Sequence, residues 1–148
     1  MALTLVVLSL MHSRIDGVYL LMPLLGGLVA FLWFNKYPAM VFPGDTMMLF
    51  MGATLAVAGV LSRLFVQTIF IFLPMIVEFF LKLRGRFEAE NYASAENAGR
   101  LEYHGRVESL THVFMKRMRL TEQQLVWRIW GIEGVMCAIV IIGDLLVN

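Results

Sequence analysis

The chain has 148 residues, of which 59% are hydrophobic and 16% charged, and it carries a net charge of only +1. That balance excludes an ordinary soluble domain, which would show far more charge, and apolar runs of membrane-spanning length point to a membrane protein instead. A single cysteine, Cys137, lies inside one of those runs, so there is no disulfide framework and no cysteine-based metal site, and no nucleic-acid-binding motif is present.

Residues 1–11, MALTLVVLSLM, are apolar but lack the basic flank and small-residue cleavage site of a secretory signal. They read as a transmembrane helix truncated at its start, followed by a short polar loop, HSRIDG. Residues 18–34 carry no charge and as a helix span ~25 Å at ~1.5 Å per residue. Pro23 and the pair Gly26 and Gly27 are expected to kink this span. Tyr19 and Trp33 sit near its two ends, as interfacial aromatics do.

Residues 35–46, NKYPAMVFPGDT, interrupt the apolar pattern. Pro38 and Pro43 remove backbone donors and forbid a regular helix through the middle. Gly44 is expected to turn the chain tightly just before a carboxylate. Lys36 and Asp45 are the loop's charges, and the chain becomes apolar again directly after Thr46. Asp45 therefore stands at the mouth of a hydrophobic segment, where an acid needs water, a partner or a cation. Asn35 and Lys36 read as loop-edge groups.

Residues 47–62 and 64–81 are the next two spans, with Arg63 marking the turn between them. Gly52, Ala56 and Gly59 recur at i, i+4 and i+7, a smooth stripe expected to make close helix contact. Pro74 is a further expected kink. Glu78 lies about one turn from the polar end of its span, where an interfacial or paired role is expected rather than a catalytic one.

Residues 82–123 form the extended polar segment, and eight of the twelve lysines and arginines fall between Lys82 and Arg119. Arg84-Gly85-Arg86 opens it. Residues 87–103, with the turn-like run Glu96-Asn97-Ala98-Gly99, are expected to make a small β-hairpin. Val107, Leu110, Phe114 and Met118 then repeat at helical spacing, which predicts an amphipathic helix on the membrane surface with Lys116, Arg117 and Arg119 toward lipid phosphates. His104 and His112 are expected to be ordinary polar or interfacial histidines. Thr121 reads as an N-cap with Gln124 at the third position. Residues 125–147 are the last span, with Trp127, Arg128 and Trp130 at its interface and Glu133 about two turns in, facing the bundle interior or water.

The fold class that follows is all-α: a polytopic transmembrane helix bundle forming a single membrane domain over 1–148, with a polar loop that contains the hairpin and the amphipathic helix. The positive-inside rule places residues 82–123 in the cytoplasm. Two spans separate that segment from residues 35–46, so both loops are expected on the cytoplasmic face of a multi-pass protein of the cell membrane.

YPAMVFPGDT followed by an apolar helix containing Gly and Ala resembles the Phe-x-Gly-Asp-Thr loop of the polyprenyl-phosphate N-acetylhexosamine-1-phosphate transferases, glycosyltransferase family 4. The likeness continues to the C-terminus and is nearest to the archaeal and eukaryotic dolichyl-phosphate branch. Gly99-Arg100-Leu101-Glu102 is similar to a Gly-Lys-Leu-Glu stretch there. The resemblance implies transfer of a sugar 1-phosphate, with N-acetylglucosamine the expected sugar, from a UDP-sugar to a polyprenyl or dolichyl phosphate. It implies magnesium as cofactor, with manganese as the alternative ion. Asp45 matches the metal ligand and is the candidate catalytic and metal-binding residue. Phe42 matches the aromatic beside the nucleotide. Arg84 and Arg86 match the outer residues of an Arg-His-Arg that contacts the UDP-sugar, with Gly85 in place of the histidine.

Residue chemistry leaves alternatives open at each position. A lone carboxylate suits magnesium, which takes oxygen ligands and keeps waters; it equally suits a helix N-terminus. A guanidinium pair suits phosphate and equally suits a positive-inside flank. The family's paired acids lie upstream of anything present, so the chain is expected to be a C-terminal half that acts with an N-terminal half or partner chain. A second copy of the chain is a further candidate partner, alongside membrane lipids. The contrasting function is a non-catalytic membrane module that binds polyprenyl phosphate or a partner protein through the basic loop.

Overall fold

The structure, a computed structural model, describes residues 1–84, 94–96, 100–102, 109–118 and 120–147. The described elements run, in order, α1 (Ala2–Met11), α2 (Ile15–Asn35), α3 (Asp45–Leu61), α4 (Phe65–Arg84), β1 (Ser94–Glu96), β2 (Arg100–Glu102), α5 (Leu110–Arg117) and α6 (Glu122–Val147). α2, α4 and α6 are each long and apolar enough to cross a membrane, while α1 and α3 are shorter apolar helices. The all-α reading holds. The expected hairpin is present as β1 and β2, paired antiparallel with Ala95 opposite Leu101.

The described residues divide into two compact units, Met1–Ile71 with Cys137–Asn148, and Phe72–Met136. In the first, α1 and α2 are joined by a three-residue turn. Ser13 has φ 55°. Ser13 N–H donates to Leu10 O at 3.1 Å and Arg14 N–H to Ser9 O at 2.7 Å. That pair of bonds is a Schellman motif, which closes the last carbonyls of a helix. α3 ends in the same way: Arg63 has φ 57°, Arg63 N–H donates to Val60 O at 3.0 Å, and Leu64 N–H donates to Gly59 O at 2.9 Å. The turn expected at Arg63 is therefore a defined helix terminator.

The two turns meet through side chains. Ser9 Oγ and Ser62 Oγ share a buried hydrogen bond of 2.7 Å. Gly17 packs against this pair, and a Cβ at that position would run into Ser62 Oγ. Asp144, near the end of α6, brings in two more helices. His12 Nε2 lies 2.7 Å from Asp144 Oδ2, and Gln67 Nε2 donates to Asp144 Oδ1 at 2.7 Å. The Asp144 side chain is only 2% exposed. A carboxylate so buried needs partners on both oxygens, and it has them.

The small-residue stripe on α3 behaves differently from expectation. Leu55, Ala58 and Gly59 are the buried positions. Gly59 does meet a neighbour, Thr68 of α4, but nothing lies within 4 Å of a Cβ placed on Gly52, and Ala56 is exposed. Spacing alone could not say which of two adjoining stripes faces α4. Pro23 and Pro74 both lie inside their helices.

In the second unit, α5 is docked on α4 by one side chain. Glu78 accepts from Ser109 Oγ at 2.8 Å and from Leu110 N–H at 2.8 Å. Lys82 Nζ lies 3.5 Å from the same carboxylate. The α5 residues buried within the protein are His112 and Met115, while Leu110 and Phe114 are half-buried and Met118 is exposed. Met118 has already left the helix, with φ −140° and ψ 126°, and Val107 lies outside the described residues. Met115, Leu120 and Leu125 form a small apolar core with Phe114 against it. His112, expected to be interfacial, is 1% exposed. His104 lies outside the described residues. The capping box at α6 forms as expected: Gln124 N–H donates to Thr121 Oγ1 at 3.4 Å, and Thr121 N–H donates to Gln124 Oε1 at 3.2 Å. Glu133 is half-buried.

Candidate active site loop

The loop that carries Asp45 is held by the end of α2. Lys36 leaves that helix with extended backbone, φ −62° and ψ 150°, while its N–H still donates to Leu32 O at 2.9 Å. The chain then folds back. Met40 N–H donates to Phe34 O at 2.9 Å, and Asn35 Nδ2 donates to Val41 O at 2.8 Å. Asn35 is thus the residue that ties the far side of the loop to the helix end. Lys36 Nζ sits 4.0 Å from the centroid of the Trp33 ring, a cation–π contact that keeps the ammonium beside α2.

Pro43 and Gly44 lead into α3. Gly44 is its N-cap, with φ −79° and ψ 169°. That is extended backbone, open to any residue, and a Cβ there would meet nothing within 4 Å. The tight glycine-dependent turn expected before the carboxylate is therefore absent. Asp45 is the first residue of α3 and is exposed. No side-chain hydrogen bond caps this helix. Asp45 lies in the first turn, where a negative charge is favoured by ~0.3–1 kcal/mol, but neither carboxylate oxygen has a hydrogen bond or ion pair among the described residues. Phe42 is 77% exposed, and Met40 and Val41 beside it are exposed too. The loop and helix start thus present an exposed aromatic ring and, three residues on, a carboxylate without a partner among the described residues.

Magnesium keeps several waters and is commonly held by one or two carboxylates together with substrate phosphates. An exposed Asp45, without a partner among the described residues, fits that role as a single ligand. Among the described residues no group of three or more His, Cys, Asp or Glu stands together to enclose an ion.

The remaining candidates fall elsewhere. Arg84 is exposed at the end of α4 and belongs to the second unit. Arg86 lies outside the described residues. Phe42 lies in the connection before α3 and Asp45 opens that helix, three residues on. Residue reasoning missed the polar ties His12–Asp144–Gln67 and Ser9–Ser62. Asp144 carried one available signal, an acid within residues 134–148, which are otherwise uncharged, since such a residue in a span must find a partner.

The sequence model of glycosyl transferase family 4 matches residues 1–63, which takes in α1, α2, α3 and the whole Asp45 loop. Over that stretch the chain is similar to this family, and its curated relatives carry names of the same kind. With three helices able to cross a bilayer, it is a membrane protein.

Its relatives carry names of two kinds. A Saccharolobus solfataricus protein, provisionally named a UDP-N-acetylglucosamine-dolichyl-phosphate N-acetylglucosaminephosphotransferase, is 38% identical over 115 residues, covering 78% of this chain and 36% of that protein. The Schizosaccharomyces pombe protein of that name is 33% identical over 73 residues, 49% of this chain and 16% of its own length. A phospho-N-acetylmuramoyl-pentapeptide-transferase of Leptospira biflexa is 31% identical over 124 residues, 81% of this chain and 30% of the relative. The chain's match thus covers about a third or less of the length of each of these relatives. No solved structure matches the chain.

Proposed function

We propose that this chain forms part of an integral-membrane transferase that moves N-acetylglucosamine 1-phosphate from UDP-N-acetylglucosamine to a dolichyl or other polyprenyl phosphate. The observation that carries the reading is the exposed carboxylate of Asp45 at the start of α3, without a partner among the described residues and inside the stretch matched by the family. The names of the relatives supply the sugar and the acceptor. On this reading the chain acts together with the portion of the family fold that it does not span.

Phosphoryl transfer depends on positioning and charge neutralisation more than on covalent chemistry. Asp45 would hold magnesium, or manganese in its place, and the ion when bound would neutralise phosphate charge. Phe42, with its ring open on the same loop, would lie against the nucleotide. Arg84 and Arg86 would take phosphate oxygens through their forked donors. The charge distribution along the chain supports a cytoplasmic location for both the Asp45 loop and the basic segment, where a nucleotide sugar and a lipid phosphate can both reach them.

The test is transfer of labelled sugar 1-phosphate from UDP-N-acetylglucosamine to polyprenyl phosphate in membranes that contain the chain together with the rest of the family fold. Asp45→Asn should lower turnover about 10²–10³-fold, the scale of losing one electrostatic group that acts on transition-state charge. Turnover within threefold of wild type would remove the metal role of Asp45. Lipid binding that persists without turnover in the wild type would favour the non-catalytic module.

A further inference from the structure

Glu78 occupies an unusual position for a carboxylate near the end of an apolar helix. Two of its partners come from across more than thirty residues of chain: Ser109 Oγ donates to Oε1 and Leu110 N–H donates to Oε2, each at 2.8 Å. Ser109 is 2% exposed. It is the N-cap of α5 and accepts from Thr111 N–H at 3.2 Å. The first-turn N–H groups of a helix lack intrahelical partners and carry partial positive charge. Glu78 supplies them with a full negative charge from a different helix. Charge-assisted bonds of this kind are about twice as strong as neutral ones, so the carboxylate acts as a tertiary cap that fixes α5 to α4.

The two helices joined this way end in cations. The last turn of α4 contains Lys82 and Arg84, and that of α5 contains Lys116 and Arg117. Lys82 leans on Glu78 at 3.5 Å. Lys116 and Arg117 are exposed. The apolar face of α5 is set against Leu120 and Leu125 through Met115, so α5 is tied at its start by charge and along its length by packing.

We propose that Glu78 is a positioning residue: by capping α5 from α4 it holds the basic ends of both helices in register to bind a phosphate-bearing ligand. This rests on the transferase reading and deepens it, since either the nucleotide sugar or the lipid phosphate carries that group. Glu78 makes no contact with the ligand itself; it acts through α5.

Three variants test this in the membrane-embedded protein: Glu78→Ala, Glu78→Gln and Ser109→Ala. Hydrogen exchange at the Leu110 amide reads the cap directly. It should speed up about tenfold or more in Glu78→Ala, the scale of a lost charge-assisted bond, and less in Glu78→Gln, which keeps an acceptor oxygen. KM is then measured separately for UDP-N-acetylglucosamine and for polyprenyl phosphate in vesicles. At least one KM should rise about tenfold in Glu78→Ala, with kcat within threefold of wild type and partial rescue by Glu78→Gln. Whichever KM rises identifies the ligand. The Ser109→Ala and Glu78→Ala effects should combine less than additively, as for two halves of one contact.

Unchanged exchange at Leu110 would overturn the cap. Faster exchange with both KM values unchanged would overturn the positioning role and leave a structural tie. A fall in kcat with KM unchanged would overturn it as well, because α5 would then act in the chemical step. If wild-type protein neither binds nor turns over UDP-N-acetylglucosamine or polyprenyl phosphate while Leu110 exchange still responds to Glu78→Ala, the transferase reading and the ligand role fall together and only the cap stands.

Discussion

The two ends of the α2–α3 hairpin handle polar groups in opposite ways. At one end, α2 starts and α3 stops in tight turns whose side chains satisfy one another: Ser9 with Ser62, and His12 and Gln67 with Asp144. At the other end, a nine-residue connection, residues 36–44, leaves Phe42 bare and the Asp45 carboxylate without a partner among the described residues. The difference is instructive because both ends meet the same physical demand. Polar groups next to apolar helices need partners. Where the chain supplies them, the polar residues hold helices together. Where it does not, the residue is available to something that arrives from solution.

That contrast can be broken in order of expected size. Asp45→Asn should cost about 10²–10³-fold in turnover while changing folding stability by no more than about 0.5 kcal/mol, as an exposed substitution does. Asp144→Ala should do the reverse. It removes the shared partner of the half-buried His12 and Gln67 and should destabilise by about 1–3 kcal/mol, read by thermal unfolding in detergent, with residual turnover set only by the fraction folded. Ser9→Ala removes one neutral bond and should cost about 1 kcal/mol by the same measurement. Gly44→Ala is the smallest case. Its backbone is extended and a Cβ would have open space, so the cost should be about 0.5 kcal/mol, the low end for alanine at an N-cap. A large loss of turnover in Gly44→Ala, with no further loss of stability, would sharpen the comparison by showing that a ligand approaches the backbone there.

Much of the helical fold was legible in the residues because length and apolarity are local properties. The runs at 18–34 and 125–147 needed no knowledge of their neighbours, and the Thr121–Gln124 box closes within three residues. The side-chain ties were not legible. Ser9 and Ser62 are 53 residues apart and His12 and Asp144 are 132 apart, and nothing in a local pattern says which polar residues will meet. The same limit explains α5, where Met115 and His112 face inward because Leu120, Leu125 and Glu78 fix the rotation of the helix. It also explains α3, where Thr68 selects Gly59 and leaves Gly52 aside. Asp45 and Phe42 were found by family likeness. Geometry adds that Asp45 stands exposed at a helix start, without a partner among the described residues, and that Gly44 is not needed for the turn.

The most direct measurement is binding of Mn²⁺, as a paramagnetic stand-in for magnesium, to the membrane-embedded protein in the presence of UDP-N-acetylglucosamine, comparing wild type with Asp45→Asn by loss of the free-ion EPR signal. If Asp45 is a metal ligand, the wild type takes up the ion and the variant binds it at least about tenfold more weakly, as expected when a coordinating carboxylate is lost. Equal uptake by the two proteins, with both folded, would contradict the central claim and return Asp45 to the role of a helix-end charge.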